Sequence, residues 1–124
     1  MTVQLETDPY SERAQVRIVD ATPERAVSEQ PGLRELDNHL AIRHASALYT
    51  AMYAAARALA VAAAGESELP RLAESVTTYP AVPVGLITSV AEWDGDPAER
   101  RTRVVASNED GRTVATLDAT WTVG

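Results

Sequence analysis

The stretch Ala41 to Ala64 limits what this chain can fold into more than any other: 24 residues, 12 of them alanine. Alanine is the strongest helix former and contributes little transfer energy when buried. A helix of that length would reach about 36 Å, enough to cross a bilayer. Arg43, His44 and Arg57 lie inside it, and charges at membrane depth are costly. The expectation is a soluble helix buried on most sides, whose small side chains let other backbone come close. Asp37 or Asn38 supplies the N-cap and Gly65 stands where a C-cap glycine belongs. Leu48, Met52 and Leu59 fall on one face.

The rest of the chain reads mainly as strands. In Ala14 to Asp20, Val16 and Ile18 alternate with Gln15 and Arg17, the period of a half-buried strand. Thr22-Pro23-Glu24-Arg25 ends it and is expected to open a short helical turn, with Thr22 as N-cap and Pro23 at N1. After the helix come Ser75 to Tyr79, Val84 to Trp93, Arg100 to Ser107 and Arg112 to Val123. Asn108-Glu109-Asp110-Gly111 is a hairpin signal. In the last run Ala115, Leu117, Ala119, Trp121 and Val123 share one face, which is expected to be the buried one. The predicted order is strand, long helix, then four strands joined mostly by hairpins. A lone helix beside an antiparallel meander must be covered by that sheet, so the fold class is α+β in two layers.

Length and composition set the remaining bounds. The 124 residues suit a single domain, here 1–124, with a lead-in over 1–13, the helix region over 38–64 and antiparallel strands over 75–123. With no cysteine, disulfide frameworks and thiolate metal sites are excluded. His39 and His44 are five apart and lack any H-E-x-x-H context, so no metal is expected. A net charge of −7 argues against nucleic acid, which needs a basic face. The N-terminus has neither a basic start nor an apolar core, so no signal peptide is expected, and the protein is read as cytoplasmic and not membrane-bound.

Two stretches carry a family resemblance. Asn38-His39-Leu40-Ala41-Ile42-Arg43-His44-Ala45-Ser46-Ala47-Leu48-Tyr49 resembles the thioesterase pattern in which an asparagine lies six positions before a histidine that opens a helix. Two small residues follow that histidine, here Ala45 and Ser46. Arg103 to Val123 resembles the closing hairpin of the same superfamily. The implied architecture is the hotdog fold, a curved antiparallel β-sheet wrapped around one long central α-helix. The nearest flavour is an uncharacterised branch similar to the phenylacetate-pathway and acyl-CoA thioesterases.

The resemblance implies an acyl thioester as partner, with coenzyme A part of the substrate and no separate cofactor. It implies a homodimer or a tetramer. Asn38 and His44 are the candidate catalytic residues. His39, Ala45, Ser46, Tyr49 and Tyr53 are the candidate substrate-binding ones. Phenylacetate-pathway-like members carry a carboxylate nine residues after the histidine, where this chain has Tyr53. A neutral phenol is a poor base at pH 7, so two readings stand: a thioesterase-like enzyme for small or medium acyl-CoA, or a hotdog protein that binds acyl-CoA or another partner without turnover. Tyr49 and Tyr53, four apart on one helix face, also read as core or dimer contacts. Arg100, Arg101, Arg103 and Arg112 read as a solvated face balancing Glu99, Glu109 and Asp110, ahead of a phosphate site. Arg57, among alanines, is expected to snorkel or to pair with an acid across an interface.

Overall fold

A computed structural model describes residues 14–32, 43–64 and 69–123. The elements in chain order are β1 (Arg17–Ala21), β2 (Arg25–Gln30), α1 (Ala45–Ala64), β3 (Pro70–Thr78), β4 (Ile87–Trp93), a 3-10 turn (Pro97–Glu99), β5 (Arg101–Ser107) and β6 (Thr113–Val123). The six strands form one antiparallel sheet in the order β1-β2-β4-β5-β6-β3. The helix packs on one face of that sheet and touches every strand.

Two elements differ from the sequence reading. Thr22 to Arg25 is a hairpin turn, not the start of a helix. Thr22 donates its N–H to the Arg25 carbonyl at 2.8 Å, and its Oγ1 accepts the N–H groups of Glu24 and Arg25. That turn launches β2, a second strand ahead of the helix. The Trp93 indole N–H, donating 2.7 Å to the Pro23 carbonyl, ties the turn to the end of β4. The helix also begins later than the region read from residue 38. Arg43 forms an isolated bridge, its N–H donating to the Pro83 carbonyl at 2.9 Å. His44 caps the first turn by accepting the Leu48 N–H at 3.0 Å. The proposed caps Asp37, Asn38 and Gly65 lie outside the described residues.

The strands that follow match the reading with shifted edges. β3 runs from Pro70 rather than Ser75, and β4 starts at Ile87 rather than Val84. The predicted buried face of β6 holds for Ala115, Leu117, Ala119 and Trp121, and Val114 on the opposite parity is buried as well. At the β5–β6 turn Gly111 adopts φ +85° and its N–H reaches the Asn108 carbonyl at 3.0 Å, a left-handed position that glycine takes without a Cβ penalty.

Leu48, Met52 and Leu59 are fully buried, and with Ile87, Val104, Leu117 and Trp121 they supply the larger side chains of the core. The helix is long and apolar enough to cross a membrane by those measures alone, yet ten of its residues are buried within the protein. Its alanines let β2 come within side-chain reach of the helix backbone. Ser28 Oγ donates to the Ala51 carbonyl at 2.7 Å and Gln30 Nε2 donates to the Ala47 carbonyl at 2.9 Å. Two strand residues advance about 6.6 Å and one helical turn of four residues advances about 6 Å. Alternate β2 side chains therefore meet successive turns of the helix in register.

Candidate functional site

The start of α1 is where the sequence reading placed the chemistry. Its first turn leaves backbone N–H groups without helical partners, and the helix dipole adds positive potential there. His44, Ala45 and Ser46 are all exposed, so these donors open to solvent past small side chains. Asn38 and His39 lie outside the described residues. Thr50, one turn further, is buried and folds its hydroxyl back onto the Ser46 carbonyl at 2.8 Å.

What holds this turn in place is a buried polar cluster the sequence reading missed. The Arg43 side chain is 2% exposed. Its guanidinium donates to Gln30 Oε1, to the Pro31 carbonyl at 3.1 Å and to the Gly85 carbonyl. Gln30, fully buried, uses its amide nitrogen to bind both the Ala47 carbonyl and, at 2.9 Å, the Ala14 carbonyl. One arginine and one glutamine thus join the end of β2, the segment before β4, the chain ahead of β1 and the first turn of the helix. Gly32 and Gly85 pass so closely beside this cluster that a Cβ on Gly32 would stand 2.7 Å from the Gly85 Cα. In the sequence alone Arg43 reads as a charge that opposes membrane insertion. The usable signal was a lone arginine beside the motif histidine in an otherwise apolar run, because a buried charge requires partners.

The tyrosines occupy one half-buried row. Tyr49 and Tyr53 stack with centroids 6.3 Å apart, and Tyr53 tilts against Trp121 at 5.9 Å. The Tyr49 hydroxyl is 3.3 Å from Ser75 Oγ on β3. Tyr53 therefore packs on the core while one side remains open. Arg57 and Val61 continue the row at four-residue spacing, both half-buried. Among the described residues the Arg57 side chain has no hydrogen-bond or ion-pair partner.

The arginines of the last hairpin mostly behave as a solvated face. Arg101 pairs with Glu99 at 2.7 Å and Arg103 with Asp118 at 3.2 Å, all well exposed. A cavity of about 360 Å³ lies at the opposite end of the helix from His44, between Ala60, Ala64, Trp93, Trp121 and Arg100.

A six-stranded antiparallel sheet in this strand order, packed on one long helix, defines the hotdog fold. The chain belongs to the family described as a domain of unknown function, DUF4442, whose profile matches residues 2–123. Solved structures with the same fold include AziG of S. sahachiroi, 22% identical over 90% of this chain and 93% of that one, with a TM-score of 0.81. They include PA5026 of Pseudomonas aeruginosa, described as a probable thioesterase, 20% identical over 92% and 85% with a TM-score of 0.78. The thioesterase HI1161 of Haemophilus influenzae is 9% identical over 92% and 81%, with a TM-score of 0.83. No curated protein matches the chain in sequence.

Proposed function

We propose that this is a thioesterase-like hotdog protein that binds small or medium acyl-CoA thioesters at the start of α1 and hydrolyses them. The observation that carries this reading is the exposed His44-Ala45-Ser46 turn, clamped from behind by Arg43 and Gln30. A thioester carbonyl set against the first N–H groups of the helix would have its tetrahedral oxyanion stabilised there. His44, the titratable side chain at that turn, takes the proton of the attacking water. Collapse of the intermediate breaks the C–S bond, and the departing thiolate takes up a proton. Asn38 orients the water or holds the loop, and His39 contributes to binding. Tyr49 and Tyr53 line the acyl side, with Tyr53 packing against the chain rather than acting as a base. Structures of this fold described as thioesterases support the reading.

The same reading has the protein working in the cytoplasm as a homodimer. A second copy would cover the open row of Tyr49, Tyr53, Arg57 and Val61 and offer Arg57 an acid. Sedimentation analysis tests this, and a monomer at micromolar concentration would refute it. The catalytic reading is tested with a panel of acyl-CoA chain lengths, following free thiol. Turnover that falls on His44→Ala and Asn38→Ala is expected. Saturable binding with no thiol release at any chain length would refute hydrolysis and leave a binding protein.

A further inference from the structure

The cavity at the far end of α1, lined from Ala60 to Ala64, lies about 24–30 Å along the helix from His44 and takes no part in the chemistry above. Its walls are Ala60, Ala63 and Ala64 of the helix, Pro70, Trp93, Pro97, Ala98 and Trp121, with Arg100 as the charged residue. A volume of about 360 Å³ suits a small organic ligand. Both indole N–H groups are engaged away from it, Trp93 with the Pro23 carbonyl at 2.7 Å and Trp121 with Thr102 Oγ1 at 2.9 Å. The tryptophans therefore offer the cavity ring surface rather than donors.

Arg100 differs from its neighbours. Arg101 and Arg103 are paired with Glu99 and Asp118, whereas the Arg100 guanidinium has no hydrogen bond or ion pair among the described residues. Its backbone stands in the left-handed region at φ 56° and ψ 38°, uncommon for a residue with a Cβ. Two backbone bonds hold it there: its N–H to the Pro97 carbonyl at 3.0 Å, and its carbonyl accepting the Trp121 N–H at 2.9 Å. Arg100, exposed and with its side chain uncommitted among the described residues, is thus held by its backbone beside a pocket walled in part by two indoles.

We propose that this cavity binds a small carboxylate with a flat apolar body. The body lies against Trp93 and Trp121 and the carboxylate is held by the Arg100 fork. The negative end of the helix dipole, with no basic residue in the last turn to offset it, keeps the carboxylate away from Ala63 and Ala64 and sets the ligand's direction.

The chain has two tryptophans and both line the cavity, so intrinsic fluorescence reports occupancy directly. Titration of the full chain with 3-phenylpropanoate should give a saturable change. The neutral 3-phenylpropanamide should bind about tenfold more weakly, because it lacks the charge-assisted bond. Arg100→Asn, which tolerates left-handed backbone, should bring the acid down to the affinity of the amide. Arg100→Lys should retain the preference for the acid, and His44→Ala should leave both titrations unchanged. The comparison of acid with amide in the unaltered protein depends on no variant folding. Absence of saturation with the acid, equal affinity for acid and amide, or unchanged acid binding in Arg100→Asn would each overturn the proposal.

Discussion

Replacing Gln30 with leucine, a near-isosteric apolar residue, removes every contact its amide makes. The Arg43 guanidinium loses the Oε1 acceptor, and the Ala14 and Ala47 carbonyls lose the Nε2 donor. A hydrogen bond to a charged group contributes about 1.5–3 kcal/mol and a buried unsatisfied group costs about 1–3 kcal/mol. Arg43 keeps the Pro31 and Gly85 carbonyls, and the Ala47 carbonyl keeps its helical bond. The expected loss is therefore about 3 kcal/mol, a large part of the stability of a domain this size. Urea unfolding should show a lower midpoint at unchanged slope. The double variant Gln30→Leu, Arg43→Leu should lose less than the sum of the single losses, by at least about 1 kcal/mol, since no charge is left stranded. Gln30→Glu should not rescue stability, because a carboxylate would face two carbonyls in place of the amide donor. A loss below about 1 kcal/mol for Gln30→Leu, or strict additivity in the double variant, would refute the view that this cluster anchors the helix start.

Ser89 Oγ is buried without a hydrogen bond among the described residues. Ser89→Ala should therefore be neutral or stabilising by up to about 1 kcal/mol, read from the urea midpoint. Gly32→Ala sets a Cβ against the Gly85 backbone and should cost about 1–3 kcal/mol in the urea midpoint, whereas no loss would refute so close a backbone approach. Partial desolvation, then the nearby Tyr49, raises the pKa of the half-exposed Tyr79 hydroxyl above 10.0. Folding therefore favours the neutral phenol: its contribution is fully present below pH 10.0 and is lost as pH rises through the folded value. Tyr79→Phe should flatten the alkaline decline in stability, seen by comparing unfolding midpoints on either side of that window.

The long helix and the β6 face were legible because their patterns are large. Twelve alanines admit little but helix, and Ala115, Leu117, Ala119 and Trp121 alternate cleanly with polar residues. β2 was illegible for a physical reason. Its helix-facing positions are Ala26, Ser28 and Gln30, all buried, and two of them are polar because their partners are helix carbonyls. Hydropathy reads such a strand as surface. Arg43 was hidden in the same way, since acceptors it reaches among the described residues, the Pro31 and Gly85 carbonyls and the Gln30 amide oxygen, are distant from it in sequence. Of the candidate site, the position of His44, Ala45 and Ser46 at the helix start was readable from the sequence, while the clamp behind them required the fold.

The strand order has a consequence for synthesis. β6 lies inside the sheet between β5 and β3, and its partner β3 pairs from Pro70 opposite Val123 to Thr78 opposite Thr116. On the ribosome, β3 follows the helix directly but has no neighbour until β6 has been made and has left the exit tunnel. Until then the nascent chain carries an alanine-rich helix with an unfinished cover and a strand bare on both edges. Such intermediates are open to aggregation and to chaperone capture. A translation pause that holds β6 unmade or still inside the tunnel should lengthen that window.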